Sequence, residues 1–278
     1  MAWALVTGAG TGIGRAVAEV LAPAVPRLLL VGRRPEPLAE AVAACSRHGA
    51  DARAVAADVG SAEGRRLILQ EAEAFSGGPA LAVHNAAVLG PVRIASSWGE
   101  EHLCEWRSVM AANVEGPLLL TSALLPALQQ PAGKQASRVL HVGSGAASRA
   151  IGGWMAYCTS KAALAAITRQ LRCELQGQGV LVGCLQPGVV DTPMQAEIRR
   201  ADPDAMPDRA YFDSLHSARA AGTNHFRGTG RRPHLSALDS SENVARFVRF
   251  VLLETPDQEF EAREEWNIHD STLDGRWR

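Results

Sequence analysis

Short apolar runs alternate with stretches of helical periodicity along the first two hundred residues. "WALV" (Trp3–Val6) is brief and wholly apolar, as a parallel strand covered on both faces is. From Gly12 to Ala22, Ile13, Val17, Val20 and Leu21 fall on one helical face, and Pro23 ends the run. "RLLLVG" (Arg27–Gly32) is a second buried strand. The rhythm continues with helix Leu38–Arg47, strand Arg53–Ala56, helix Ala62–Phe75 and strand Ala80–His84. Then come helix Glu100–Leu128, strand Arg138–Val142, helix Tyr157–Leu175 and strand Leu181–Gln186. This alternation predicts an α/β fold: one doubly wound parallel sheet with helices on both faces. No linker or repeat divides the chain, so residues 1–278 read as a single domain. The segment from Met194 to Ser241 breaks the pattern. It is polar, has little periodicity and is too long for an ordinary connection, which predicts a substrate loop or lid over about 194–241, or partial disorder. Glu242–Leu253 restores a helix, and "EWNIHD" near the end is a candidate last strand.

Composition narrows the function classes. Of 278 residues, 47% are hydrophobic and 21% charged, the profile of a soluble globular chain. A net charge of −1 gives no footprint for nucleic acid or a membrane surface. The longest apolar stretches fall short of a membrane span, and "MAWALVTGAG" lacks the basic start of a signal peptide. Cys45, Cys104, Cys158, Cys173 and Cys184 are scattered without a CxxC or Cys/His cluster. Neither a metal site nor a disulfide framework is expected, and reduced thiols fit a cytoplasmic protein.

"TGAGTGIG" (Thr7–Gly14) follows the first strand and opens the first helix. Glycines there permit a tight turn and close backbone approach to a pyrophosphate at the helix N-terminus. The spacing is Gly8, Gly12, Gly14 rather than GxGxxG. NAD-binding folds carry an acid about twenty residues on, for the ribose 2′-hydroxyl. Here the second strand ends "VGRRPEP": Gly32 stands at that place, and Arg33 and Arg34 follow. Guanidinium groups fit a 2′-phosphate that a carboxylate would repel. Solvated loop arginines are the bland alternative.

Chemistry is suggested by "AYCTSKAAL". The chain has two tyrosines and two lysines, yet Tyr157 and Lys161 stand four apart, on one helical face. A free phenol titrates near 10, and a nearby ammonium is expected to lower that value, making Tyr157 a usable acid or base. Ser144, after a strand in "VLHVGSGAAS", offers a hydroxyl to hold a substrate oxygen; Ser148 is a weaker candidate. In "MAANVEGPLLL", Pro117 lacks the N–H that an α-helix would offer the Asn113 carbonyl. A kink with an open acceptor, or a simple helix break, follows. Trp154 is placed to wall a substrate pocket, with plain packing as the alternative, and Met194 opens the segment where substrate choice would be made. Cys158 receives no role. His84 reads as a strand-end residue, and His216, His225 and His234 as surface residues of the irregular segment.

Together, the GxxxGxG loop and the Tyr–Lys pair resemble the classical short-chain dehydrogenase/reductase family, from Leu5 to about Met194. The resemblance implies a Rossmann-type fold and an oxidoreductase that moves hydride between a nicotinamide and a ketone or secondary alcohol. It implies Ser144, Tyr157, Lys161 and Asn113 as catalytic residues, with a water held by the Asn113 main-chain carbonyl. Cofactor contacts would come from Gly8, Thr11, Gly12, Ile13 and Gly14, and from Arg33 and Arg34, whose placement implies NADP(H). Asp58 and Val59 resemble the pair at the adenine, and Asn85-Ala86-Ala87 resembles "NAG", with alanine in place of glycine. Pro187, Gly188, Val190 and Thr192 resemble the nicotinamide-side loop, and Tyr157 and Lys161 would reach the ribose. Ser144, Trp154 and Met194 would line the substrate pocket. "WMAYCTSKAA" and "PGVVDTPMQ" are similar to the sepiapterin and benzil reductase branch, which implies diketone-like or pteridine side-chain ketones. A homodimer or homotetramer is implied, with no nucleic-acid or membrane partner. An NAD-dependent enzyme and a non-catalytic nucleotide-binding regulator remain as alternatives.

Overall fold

The computed structural model describes residues 3–75, 77–130, 135–220, 238–273 and 275–277. Seven strands form one parallel sheet: β1 (Trp3–Thr7), β2 (Arg27–Gly32), β3 (Asp51–Ala56), β4 (Pro79–His84), β5 (Ser137–Val142), β6 (Val180–Gln186) and β7 (Glu265–Asn267). Their order is β3-β2-β1-β4-β5-β6-β7. The chain winds outward from β1 to β3, then returns to the other side of β1 with β4. That reversal opens a crevice beyond the C-terminal ends of β1 and β4.

The helices are α1 (Gly12–Leu21), α2 (Pro35–Ser46), α3 (Ala62–Glu73), α4 (Leu103–Met110), α5 (Gly116–Leu128) and α6 (Met155–Glu174), then α7 (Pro193–Arg199), α8 (Arg209–Ala220), α9 (Ser241–Arg249) and α10 (Asp257–Ala262). Alternate residues of β1 feed two cores, as the period of a strand requires. Ala4 and Val6 join the layer of α1 and α9, while Trp3 and Leu5 join the layer of α3, α5 and α6. Each fully buried leucine contributes roughly 1.5–3 kcal/mol to holding the layers together.

Most predicted elements are present with ends shifted by one to three residues. The helix expected from Leu38 starts at Pro35, because proline is tolerated at the first helical position and Arg34 supplies an extended N-cap. The last strand is shorter than "EWNIHD", ending at Asn267. The long helix predicted over Glu100–Leu128 is not one regular helix. A 3₁₀ turn (Glu100–His102) leads into α4, and a π turn (Ala111–Glu115) joins α4 to α5. Gly116 N–H reaches back to the Ala111 carbonyl, five residues away, beside the proline that cannot donate. This run is also long and apolar enough to cross a membrane by length and composition, which corrects the expectation that no stretch is. Half of its most apolar stretch is buried inside the protein, as in a core helix.

The segment expected to be irregular contains α7 and α8. Their buried faces are narrow: Gln195 and Ile198 on α7, Phe212 and Leu215 on α8. One buried apolar anchor on α7 and two on α8 are too few to show as periodicity. His216 is half-buried on α8. Residues 221–237, with His225 and His234, lie outside the described residues.

Candidate active site

One cleft of about 1760 Å³ runs across the switch point, from the glycine loop to α8. Gly8 and Gly12 carry φ angles of +66° and +56°, so the turn after β1 needs residues without a Cβ. A Cβ at Gly14 would stand 2.2 Å from the Gly8 carbonyl oxygen, so α1 closes directly onto the loop. Asn85 holds this turn from the neighbouring strand. Its Nδ2 donates to the Thr7 (3.1 Å) and Gly8 (3.3 Å) carbonyls, and its main-chain N–H donates to Thr7 Oγ1 (3.0 Å). The Asn85 side-chain NH2 is thus spent on the loop itself. Thr11 and Ile13 line the cleft beside Gly12.

Arg33 and Arg34, at the end of β2, are exposed and line the same cleft. Asp58 and Val59 follow β3 into it, with Asp58 Oδ1 accepting from Gly60 N–H (2.8 Å). On the far wall, Gly188 leads into a parallel bridge between Val190 and Asp239. Asp191 N–H donates to Asp239 O, and Asp239 N–H to Val189 O, both at 2.9 Å. The bridge leaves the N–H and carbonyl of Val190 itself unused. Thr192 caps the start of α7 without bonding through its side chain, and its Cγ2 would lie 3.2 Å from a Cβ on Gly12. Pro187 and Met194 line the cleft too.

At the reacting end, Ser144 caps a 3₁₀ turn after β5, its Oγ accepting from Ala146 N–H at 3.1 Å. Tyr157 and Lys161 project from the first turns of α6 and are buried. Lys161 Nζ donates to the Val142 carbonyl (2.8 Å) and stands 5.6 Å from the Tyr157 ring centre. Burial pushes the Tyr157 phenol up to about 12, while the Ser144 hydroxyl, in hydrogen-bond contact, pulls the other way. Burial pushes Lys161 down to about 8. The expectation that the ammonium lowers the phenol is therefore corrected for the protein alone: burial sets the direction, and Ser144 is what opposes it. Asn113 is fully buried. Its Oδ1 accepts from Val88 N–H (2.8 Å), and its Nδ2 donates to Val88 O (2.9 Å) and Ser160 Oγ (3.0 Å). Ser160 Oγ donates in turn to the Tyr157 carbonyl (2.8 Å). The side chain of Asn113 thus ties the loop after β4 to the turn of α6 that carries Tyr157.

Trp154 stands edge-on to the Tyr157 ring (5.5 Å, 83°) and stacks on Phe212 of α8 (5.2 Å, 25°). Leu89, Ala146, Ile198 and Met206 complete this apolar end. The structure brings the residues assigned to the candidate site together at this cleft, with Gly14 and Asn113 as its immediate supports. Sequence reasoning missed Ile198, Tyr211 and Phe212, and also Asn267 and His269, which line the cleft from the C-terminal segment. None carries a local motif; only the path of the chain brings them in.

A doubly wound sheet whose first glycine turn opens a helix at a switch-point cleft is the dinucleotide-binding class of fold. The family profile described as short chain dehydrogenase matches residues 2–203. A short chain dehydrogenase from Pseudocercospora fijiensis is 33% identical over 195 residues, 69% of this chain and 61% of that relative's length. The rhamnolipids biosynthesis 3-oxoacyl-[acyl-carrier-protein] reductase of Pseudomonas aeruginosa is 34% identical over 209 residues, 73% of this chain and 78% of its own. Among solved structures, that of the KRED1-Pglu enzyme superposes with a TM-score of 0.75 at 28% identity, over 93% of this chain and 98% of the other. The chain belongs to the short chain dehydrogenase family of oxidoreductases. A nicotinamide dinucleotide fits the site: Gly8, Gly10 and Gly12 put no Cβ into the turn, and one cleft runs from Arg33 to Tyr157.

Proposed function

We propose that this protein is an NADP(H)-dependent oxidoreductase acting on a ketone or secondary alcohol, in the manner of a carbonyl reductase. The observation that carries the reading is the cleft, which joins two exposed arginines at one end to Ser144, Tyr157 and Lys161 at the other. Among the described residues no carboxylate pairs with Arg33 or Arg34, so both guanidinium groups are available to a 2′-phosphate. The glycine turn would hold the pyrophosphate, Asp58 and Val59 the adenine side, and Val190 and Thr192 the carboxamide side. The 3-oxo group in the Pseudomonas relative's name supports a ketone as the reacting group.

When bound, the cofactor supplies the hydride and, once oxidised, a positive charge. Tyr157 holds the proton. With a phenol pushed up to about 12, its anion is disfavoured by roughly 3 kcal/mol relative to water, so Tyr157 is a neutral donor at rest. It gives that proton to the substrate oxygen during reduction and takes it back during oxidation. Ser144 holds the same oxygen by hydrogen bonding. Lys161, fixed by the Val142 carbonyl, places an ammonium behind the ring and favours the phenolate as it forms. Asn113 and Ser160 keep that turn of α6 in register with the cleft.

Steady-state kinetics with both cofactors and a panel of aldehydes, ketones and diketones test the proposal. Arg33→Ala should raise the KM for NADPH about 10- to 100-fold, the loss of a charge-assisted contact, and leave that for NADH nearly unchanged. A wild-type preference for NADH, untouched by Arg33→Ala, would replace the NADP(H) reading with the NAD alternative.

A further inference from the structure

The loop Pro187–Thr192 is gripped from behind by two segments that are far apart in sequence. Asp239 bridges it through both main-chain groups, and Asp239 Oδ1 accepts from Asn243 Nδ2 of α9 at 2.9 Å. Just past β7, Ile268 N–H donates to the Gln186 carbonyl (3.1 Å), and Asn267 Nδ2, at the end of β7, donates to Gln186 Oε1 (3.3 Å). Asn267 Oδ1 accepts from the His269 N–H at 2.9 Å, which fixes where the imidazole begins. His269 then joins the two segments: its Nε2 lies 3.5 Å from Asp239 Oδ2. The ring lies against Gly188. A Cβ there would stand 2.5 Å from His269 Nε2 and 3.5 Å from Asp239 Oδ2, and Gly188 has φ +74°. His269 also lines the cleft. The imidazole therefore occupies the space that any other residue at 188 would fill.

We propose that His269, paired with Asp239, is a positioning residue for the loop Pro187–Thr192 and sets the affinity for the nicotinamide half of the cofactor. This rests on the dinucleotide reading above. The brace acts on Val190 and Thr192 through Gly188 and the Asp239 bridge; Thr192 borders Gly12, whereas Arg33, Arg34 and Asp58 line the part of the cleft that would take the adenine half. Its removal should thus be felt at the nicotinamide half far more than at the adenine half.

The test is a binding titration without substrate. Wild type, His269→Ala, His269→Gln and Asp239→Asn are each titrated with the preferred dinucleotide and with its adenine-half fragment, 2′,5′-ADP or 5′-AMP. His269→Ala should weaken dinucleotide binding about tenfold, or about 1.4 kcal/mol. Fragment binding should stay within about twofold, a difference of under half a kcal/mol. His269→Gln, which keeps a donor of similar reach, should recover part of the loss, and Asp239→Asn should show the same selectivity. Unchanged dinucleotide affinity overturns the proposal, and so does an equal loss for dinucleotide and fragment. If His269→Ala does not fold, the Asp239→Asn comparison decides by the same two criteria. Wild-type protein that binds neither dinucleotide would instead overturn the cofactor reading itself.

Discussion

The two ends of the cleft are built differently. The end at Gly8, Arg33 and Asp58 is made by turns that each follow a strand directly, and its geometry is a matter of backbone: glycines with positive φ and exposed charges. The end at Trp154 is made by side chains from the turn after β5 and from α6, α7 and α8, packed ring against ring. The first end depends on what is absent, side chains that would block an anion. The second depends on volumes that fit. Perturbations should separate accordingly: charge and backbone changes should move cofactor binding, and volume changes should move substrate binding.

Tyr157 sits where the ends meet, so it gives the largest expected effect and the sharpest check on their independence. Tyr157→Phe removes the proton and little volume. Turnover should fall about 10³-fold, within the span typical of a lost general acid. Dinucleotide affinity should stay within a few-fold in a direct titration. A binding loss as large as the turnover loss would show that the two ends are one unit.

The next effect comes from beneath both ends. His84 and His141 face each other in register on β4 and β5, with ring centres 5.3 Å apart. Each meets a threonine of a covering helix, His84 Nε2 with Thr121 (3.0 Å) and His141 Nδ1 with Thr168 (2.8 Å). Burial pushes His84 down to about 4, and burial, His84 and Lys161 push His141 down as well. Free histidine titrates near 6.5, so below that pH the unfolded chain binds protons that the fold refuses. Stability is full above about 6.5, declines as pH falls and stops declining near the folded value; His84 alone accounts for about 3 kcal/mol. Thermal midpoints from pH 7.5 to 4.5 should drop less steeply in a His84→Met/His141→Met variant. Parallel curves would mean that other groups govern the acid limb.

The same contrast explains what the sequence made legible. The doubly wound sheet was readable because buried parallel strands are short apolar runs. The glycine turn, Arg33 and the Tyr157–Lys161 pair were readable because their partners are near in sequence or fixed by one helical turn. Pro117 announced an interruption, although its form, a π turn at Ala111–Glu115, depends on how the ladder slips. The phenol of Tyr157 was misjudged because its spacing from Lys161 says nothing about desolvation. Helices α7 and α8 were read as irregular because one or two buried apolar anchors each make no pattern, and with them went Ile198, Tyr211 and Phe212.

The smallest effect is expected at Phe212, and it bears most directly on the substrate end. Phe212 is buried, and its ring stacks on Trp154, whose indole stands against Tyr157. Phe212→Leu keeps an apolar side chain but ends the stacking, which for such pairs is worth about 0.5–1.5 kcal/mol beyond burial. Trp154 would then gain freedom at the wall beside the phenol. The KM for a ketone substrate should rise about fivefold, about 1 kcal/mol, with the KM for cofactor unchanged. Phe212→Tyr, which keeps the ring, should behave like wild type. Should the cofactor KM rise in step with the ketone KM, α8 would belong to both ends, and the division between a backbone-built half and a packing-built half would fail at this residue.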